Sequence, residues 1–327
     1  MRFKASLRVD TLPVLLDATA SLARVTRGWG GGGSGAGGGG GGISSSSRSS
    51  CCCSCYMKLT PTEFFLNVRH AGALEAYVEA DATAFFYGGF TIESKRNNSI
   101  ALLLDVQHLH DALRLAAQCS RITMKLTKRQ NQGVLSFEFT DALMDNLWIT
   151  QDCPVQPLQG EEVDNAGTPS IPACEWNVEA PRLRLALGAL ARMRRLRAEE
   201  VLLDVDTTFE REGFCTVSFS GASDLVQLRT SFPGCSLLVA DEACSKSPSK
   251  PRVARTFKTR RLAAALKLAL EVNHGKASEG LVACIIPEDE SAHPWACILF
   301  HSAKLESLKL FCVLPTVRPA SRSAALE

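Results

Sequence analysis

Residues 181–197 read PRLRLALGALARMRRLR. Leu183, Leu187 and Leu190 recur at helical spacing, and Pro181 stands at a first-turn position where its missing N–H costs nothing. Arg182, Arg184, Arg192, Arg194, Arg195 and Arg197 fill much of the rest, and no acidic residue occurs. At about 100° per residue, Arg184, Gly188, Arg192 and Arg195 project from a face roughly opposite the leucines. The segment is therefore an amphipathic helix whose outer face is a row of guanidinium groups.

Three further helices follow from the same spacing. Residues 258–272 point Leu262, Leu266 and Leu270 inward, with Arg260, Ala264 and Lys267 on the opposite side. A helix capped by Asp10 or Thr11 runs to about residue 27 through Leu12, Leu15, Leu16, Leu22 and Val25. Another covers residues 106–118 through Leu109, Leu113 and Ala116, with a nearly neutral polar face of Gln107, Asp111, Arg114 and Gln118. Together the four segments hold 13 basic and 3 acidic residues, or +10, so the remainder carries −8 of a total of +2. Charge is segregated by element. Arginine and lysine without aromatic platforms or a recognition-helix motif suit sequence-independent phosphate contacts and salt-sensitive DNA binding.

The helices sit within a pattern that occurs twice. The first half has strand-like segments at residues 2–9, 56–59, 64–69, 75–80, 100–105, 122–126, 134–139 and 147–152. The second has them at 173–179, 201–206, 214–220, 225–232, 253–257, 281–287, 295–301 and 307–315. Two helices and about eight short strands per half, mostly hairpin-connected, predict an α+β fold with helices on one face of an antiparallel sheet. A length of 327 residues with 46% hydrophobic content suits two such domains. The boundaries read as a first domain over 1–157, a linker over 158–172, a second domain over 173–317 and a tail over 318–327. Residues 28–50 are nearly pure Gly and Ser and read as a flexible insertion, and 240–251 form a further break.

A net charge of +2 excludes a uniformly basic nucleic-acid coat. No apolar run approaches the roughly 20 residues of a membrane span, and the N-terminus has no clean signal-type apolar stretch. The 13 Cys include a run at Cys51, Cys52, Cys53 and Cys55, with the others scattered singly through apolar segments. They read as reduced thiols of a cytosolic or nuclear protein. Cys52 and Cys55 form a Cys-x-x-Cys, but a structural zinc needs four ligands and no second pair follows. The glycine tract lacks the Gly-Lys-Ser/Thr of a phosphate-binding loop. His108 and His110 point to different sides of their helix, and Asp204 and Asp206 read as strand surface. No nucleophile–base pair or metal-binding cluster of acids emerges, so neither catalysis nor a metal or cofactor is expected.

Several stretches carry a family resemblance: MRFKA (1–5), ITMKLTK (122–128), LWITQDCPV (147–155) with its Asp-x-Pro, VQLRTSF (226–232) and SLKLFCVLP (307–315). In this order they resemble the hydroxyurea-sensitivity (Hus-type) subunit of the heterotrimeric checkpoint sliding clamp, the nine-one-one complex. The likeness spans nearly all of the chain outside the insertion, linker, second break and tail. It implies two clamp-fold domains per subunit and a ring of this chain with two other Rad-type subunits. Such a ring encircles double-stranded DNA in the nucleus, is placed by a clamp loader, and has no membrane role. It implies Arg24, Arg27, Arg114, Arg184, Arg192, Arg195, Arg260 and Lys267 as DNA-facing residues. Ring closure through edge strands implies Leu147, Ile149 and Gln151 at one interface and Leu225, Gln227 and Arg229 at the other. A homotrimeric replication clamp is the second reading, and a metal-dependent nuclease a distant third.

Overall fold

The computed structural model describes residues 1–30, 54–69, 74–88, 90–141, 148–160, 162–163, 176–208, 211–238, 251–272, 280–287, 294–302 and 308–317. They fall into two compact units, Met1–Arg69 with Ala80–Gly167, and His70–Glu79 with Thr168–Glu327.

The first unit opens with β1 (Arg2–Leu7) and α1 (Leu12–Gly30), followed by β2 (Ser54–Leu59) and β3 (Glu63–Val68). Next in the chain is β4 (Glu75–Asp81), most of which clusters with the second unit. The first unit resumes with a short α2 (Ala82–Phe85), β5 (Thr91–Glu93), β6 (Ile100–Asp105) and α3 (Val106–Ala116). It ends with β7 (Cys119–Arg129), β8 (Gln132–Asp141) and β9 (Trp148–Pro157). The strands form one sheet in the order β3-β2-β6-β9-β8-β7-β1-β5, and every register given by its described residues is antiparallel.

Local chemistry explains these elements. Along β1, Phe3, Ala5 and Leu7 are buried while Arg2, Lys4 and Ser6 alternate outward. Gln130 and Asn131 link β7 to β8 with φ of 48° and 69°, the two positive values that a tight hairpin turn needs to match strand twist. The Asp105 side chain accepts from Gln107 N at 2.7 Å and caps α3, whose Leu109, Leu113 and Ala116 are buried. α3 lies on β6 to β9 and packs against α1. Thr19 Oγ1 meets His110 Nδ1 at 3.3 Å where the two helices touch.

The second unit comprises β10 (Trp176–Glu179), α4 (Leu183–Arg195), β11 (Glu200–Asp206), β12 (Phe214–Ala222) and β13 (Gln227–Ser236). It continues through β14 (Arg252–Lys258), α5 (Thr259–Val272), β15 (Gly280–Ile286), β16 (Trp295–Ser302) and β17 (Lys309–Pro315). One sheet runs β10-β15-β16-β17-β4 and the other β13-β12-β11-β14, again antiparallel. α4 and α5 pack on each other, α4 over β12 and α5 over β14, β16 and β17. A Cβ on Gly221 would lie 3.1 Å from Ala198 Cβ and 3.3 Å from Met193 Sδ, so a glycine lets β12 approach the end of α4. That helix closes with Ala198 N donating to Met193 O and Arg197 N to Arg194 O, both at 3.0 Å. Arg197 takes φ 60°, the left-handed position that usually falls to glycine in this kind of helix end.

Several expectations need correction. Residues 75–79 belong with the second unit because β4 pairs with β17, from Glu79 opposite Lys309 to Glu75 opposite Val313. α1 continues to Gly30, past the expected start of the insertion. Leu158 and Val163, placed in the linker, pack on Ala101 beside Tyr56 and Leu103 in the first unit. α2 and β5 were not expected, being too short for a periodic signal. Leu16, Leu187 and Leu270 are half-buried rather than fully inside. Residues 31–53, 164–175, 239–250 and 318–327 lie outside the described residues, and with them most of the insertion, the linker and the tail.

Candidate DNA-facing helices and edge strands

α4 buries Leu183, Ala186, Ala189, Leu190 and Met193, which fixes the orientation of everything else on it. Arg184, Arg192 and Arg195 are exposed, as are Arg182, Arg194 and Arg197. No ion pair neutralises Arg192 or Arg195 among the described residues. On α5, Leu262 and Leu266 are buried while Arg260 and Lys267 are exposed, with Lys267 Nζ 3.7 Å from Glu271 Oε1. In the first unit Arg24 is exposed, and Arg114 lies 3.6 Å from Asp111. The Arg27 side chain is outside the described residues. Surface pairs of this kind contribute about 0–1 kcal/mol and leave the cations available to other anions. α4 is set apart by exposed arginines with no acid on the same helix. Sequence reasoning missed Leu115 and Leu185, exposed by 50% and 56%, which stand next to Arg114 and Arg184.

Both strands implied for ring closure present unpaired backbone among the described residues. β13 is one edge of the four-stranded sheet, β14 being the other, and pairs with β12 from Gln227 opposite Ala222 to Ser236 opposite Phe214. β9 pairs with β8 along most of its length but with β6 only at Val155, Gln156 and Pro157. Of the residues implied for the interfaces, Leu147 lies outside the described residues. Ile149 and Gln151 stand opposite the buried Phe139 and Phe137 and share their face of the sheet. Leu225 is 94% exposed just before β13. Gln227 and Arg229 occupy the outer face of β13, whereas Leu228, Thr230 and Phe232 lie half-buried on the core side. Phe232 packs edge-on against Phe219 with centroids 5.6 Å apart. Those three, and Trp148 at 65% exposure, lie on the same edge strands and alternate with the residues implied for the interfaces.

Arg229 is engaged within its own sheet, and Asp204 is not strand surface. Asp204 Oδ2 accepts from Arg229 Nη2 at 3.2 Å, and its side chain is only 2% exposed. The cross-strand register explains this: Arg229 faces Ser220, Ser231 faces Ser218, and Ser218 faces Asp204, so the outer face folds over the carboxylate. Asp206, half-exposed nearby, has its carboxyl held below the usual range by hydrogen bonds from Thr208. A cavity of about 270 Å³ lined by Asp206, Thr216, Arg229 and Arg252 lies above this network.

The cysteines among the described residues are buried in strands. Cys55, the last member of the expected Cys-x-x-Cys, is buried in β2, and burial pushes its thiol up to about 12. The same cause takes Cys153 and Cys284 to about 12. Among the described residues no three His, Cys, Asp or Glu side chains gather in a way that would hold a metal ion.

Helix pairs laid over antiparallel sheets in two successive units, one helix bearing an acid-free arginine face, define the sliding-clamp fold. A PCNA from Thermococcus kodakaraensis aligns over 96% of this chain and 100% of its own, with a TM-score of 0.59 at 10% identity. The DNA polymerase accessory subunit PF-8 from Kaposi's sarcoma-associated herpesvirus covers 96% and 99%, with a TM-score of 0.56 at 10% identity. A chain of the PCNA2–PCNA3 complex from Sulfolobus tokodaii covers 97% and 99%, with 0.53 at 8%. Residues 44–273 match the family model described as Hus1-like protein, and the chain belongs to the Hus1-like family. Checkpoint protein hus1 of Schizosaccharomyces pombe is 24% identical over 160 residues, 48% of this chain and 55% of that protein. The match thus spans about half the length of the curated relative.

Proposed function

We propose that the chain is a non-enzymatic subunit of a heterotrimeric checkpoint clamp. In this reading it encircles double-stranded DNA in the nucleus with two Rad-type subunits and serves as a platform for damage signalling and repair. The observation that carries it is the acid-free, exposed arginine face of α4 on a clamp fold. Phosphate contacts from such a face are sequence-independent and individually weak, which suits a topologically held, sliding protein. The unpaired stretches of β9 and β13 supply two distinct edges for strand addition by two neighbours, and a clamp loader would open one of these joints.

Co-expression with the two companion subunits, followed by loader-dependent loading onto nicked circular DNA, tests the reading. The ring should be retained on the circle and lost on linearisation. A stable trimer of this chain alone would instead establish the homotrimeric replication clamp. Metal-dependent cleavage of the circle would establish a nuclease.

A further inference from the structure

The outer face of the sheet formed by β11 to β14 holds a recess built over a buried charge. The Asp204 carboxylate, 2% exposed, accepts from Nε and Nη2 of Arg252 and from Nη2 of Arg229. Ser218 Oγ accepts from the same Arg229 nitrogen at 3.4 Å and is tied to Ser231, Oγ to Oγ, at 2.9 Å. Both guanidiniums are thus anchored on their inner side, yet the Arg229 and Arg252 side chains remain 54% and 53% exposed. Among the described residues no hydrogen bond engages Nη1 of Arg252, or Nε and Nη1 of Arg229. The cavity of about 270 Å³ lies over these donors, and Thr216, at the register shift of β12, and Asp206 complete its lining.

A guanidinium presents five N–H donors in a planar fork, and a fork already held in place loses little freedom on binding. Here the buried carboxylate takes up inner donors and leaves outer ones over a recess. We infer that this recess is a carboxylate-binding site, taking an Asp or Glu side chain from an acidic peptide segment of a protein partner. Charge decides between anions. Asp204 and Asp206 balance Arg229 and Arg252, so the site offers forks without surplus positive charge. Asp206 stays ionised at the rim, its carboxyl held low by hydrogen bonds from Thr208. A singly charged carboxylate meets two forks against that one repulsion, whereas a doubly charged phosphate meets the repulsion twice. Asp206 also offers acceptor capacity to a backbone N–H beside the bound side chain, which a peptide supplies and a nucleic-acid backbone lacks. Asp204 turns Arg229 onto this face, so the site lies within the second unit and does not rest on ring closure.

Fluorescence anisotropy of a labelled octapeptide of alternating glutamate and glycine, titrated with the full-length chain, tests it. The chain carries Arg192→Gln and Arg195→Gln throughout, because the arginine face of α4 attracts any polyanion. The glutamate peptide should bind, and its glutamine counterpart should not. Arg229→Gln, which leaves the bidentate Asp204–Arg252 pair in place, should weaken binding about tenfold. Asp206→Asn, which keeps an acceptor for Thr208 N, should tighten binding about threefold by removing the repulsion. Equal affinity for the two peptides, or glutamate binding that neither substitution alters, overturns the proposal. Tighter binding when phosphoserine replaces one central glutamate makes the ligand a phosphate and overturns the carboxylate assignment.

Discussion

Asp204 and Arg252 form a bidentate pair across the outer face of the four-stranded sheet: Oδ1 accepts from Nε at 2.6 Å and Oδ2 from Nη2 at 2.8 Å. The carboxylate is 2% exposed and the guanidinium 53%, so the two partners do not lose equally when separated. A carboxylate stripped of its main donor stays buried beside Arg229 alone, while arginines stripped of Asp204 return to water.

Arg252→Ala is accordingly expected to cost about 2–3 kcal/mol and Asp204→Asn about 1 kcal/mol. Urea denaturation followed by circular dichroism reads the difference. The reverse order would show that the arginines, not the carboxylate, bear the desolvation.

Replacing Arg184, Arg192 and Arg195 together with Glu should abolish retention on DNA while the ring still elutes as one complex. Every phosphate that is no longer neutralised makes the negative slope of log K against log salt shallower by about 0.9. Replacing only Arg192 and Arg195 with Gln should weaken binding uniformly across sequences and flatten that slope by about 2. An unaltered slope would exclude α4 from the DNA-facing wall.

His110 lies where α1 and α3 meet, its neighbour across the joint being Thr19. Burial holds its imidazole below the ordinary value, with Asp111 opposing and Arg114 and Arg24 reinforcing the shift. An unfolded chain then binds this proton more readily than the folded one. The stabilisation is complete above the unfolded value of about 6.5 and is lost as pH falls from there through the lowered folded value. His110→Gln should flatten the decline in melting temperature between about pH 7 and pH 5 relative to the unsubstituted protein.

Cys55, Cys153 and Cys284, each near 12, hold almost no thiolate at neutral pH. Iodoacetamide at about pH 8 should leave all three unmodified in the folded protein and alkylate them once guanidinium unfolds it. Peptide mass mapping distinguishes the two states. Labelling of Cys55 under native conditions would place β2 outside the packed sheet.

The periodic elements of this fold could be read from residue order alone. α3, α4 and α5 emerge within a few residues of the expected bounds because leucine and alanine at three- and four-residue intervals leave one buried stripe. The arginine face of α4 follows from the same arithmetic, since whatever lies opposite a buried stripe is exposed. Leu158 shows where that logic stops: a polar, glycine-containing surrounding suggested a linker, yet the residue is buried against Ala101 of a strand far away in sequence.

What tertiary structure alone decided is which strands become neighbours and which faces they cover. β4 joins β17 across more than half the chain, and no local pattern encodes a partner that distant. Alternation along β13 offers two equivalent sets, 225-227-229 and 228-230-232. Only pairing with β12 turns Leu228 and Phe232 toward the core and lays Arg229 over Asp204. Residue order fixes side-chain spacing along an element, because backbone geometry is local. Burial of a given carboxylate, and the pairing state of a given strand edge, depend on surfaces that come together only when remote segments meet.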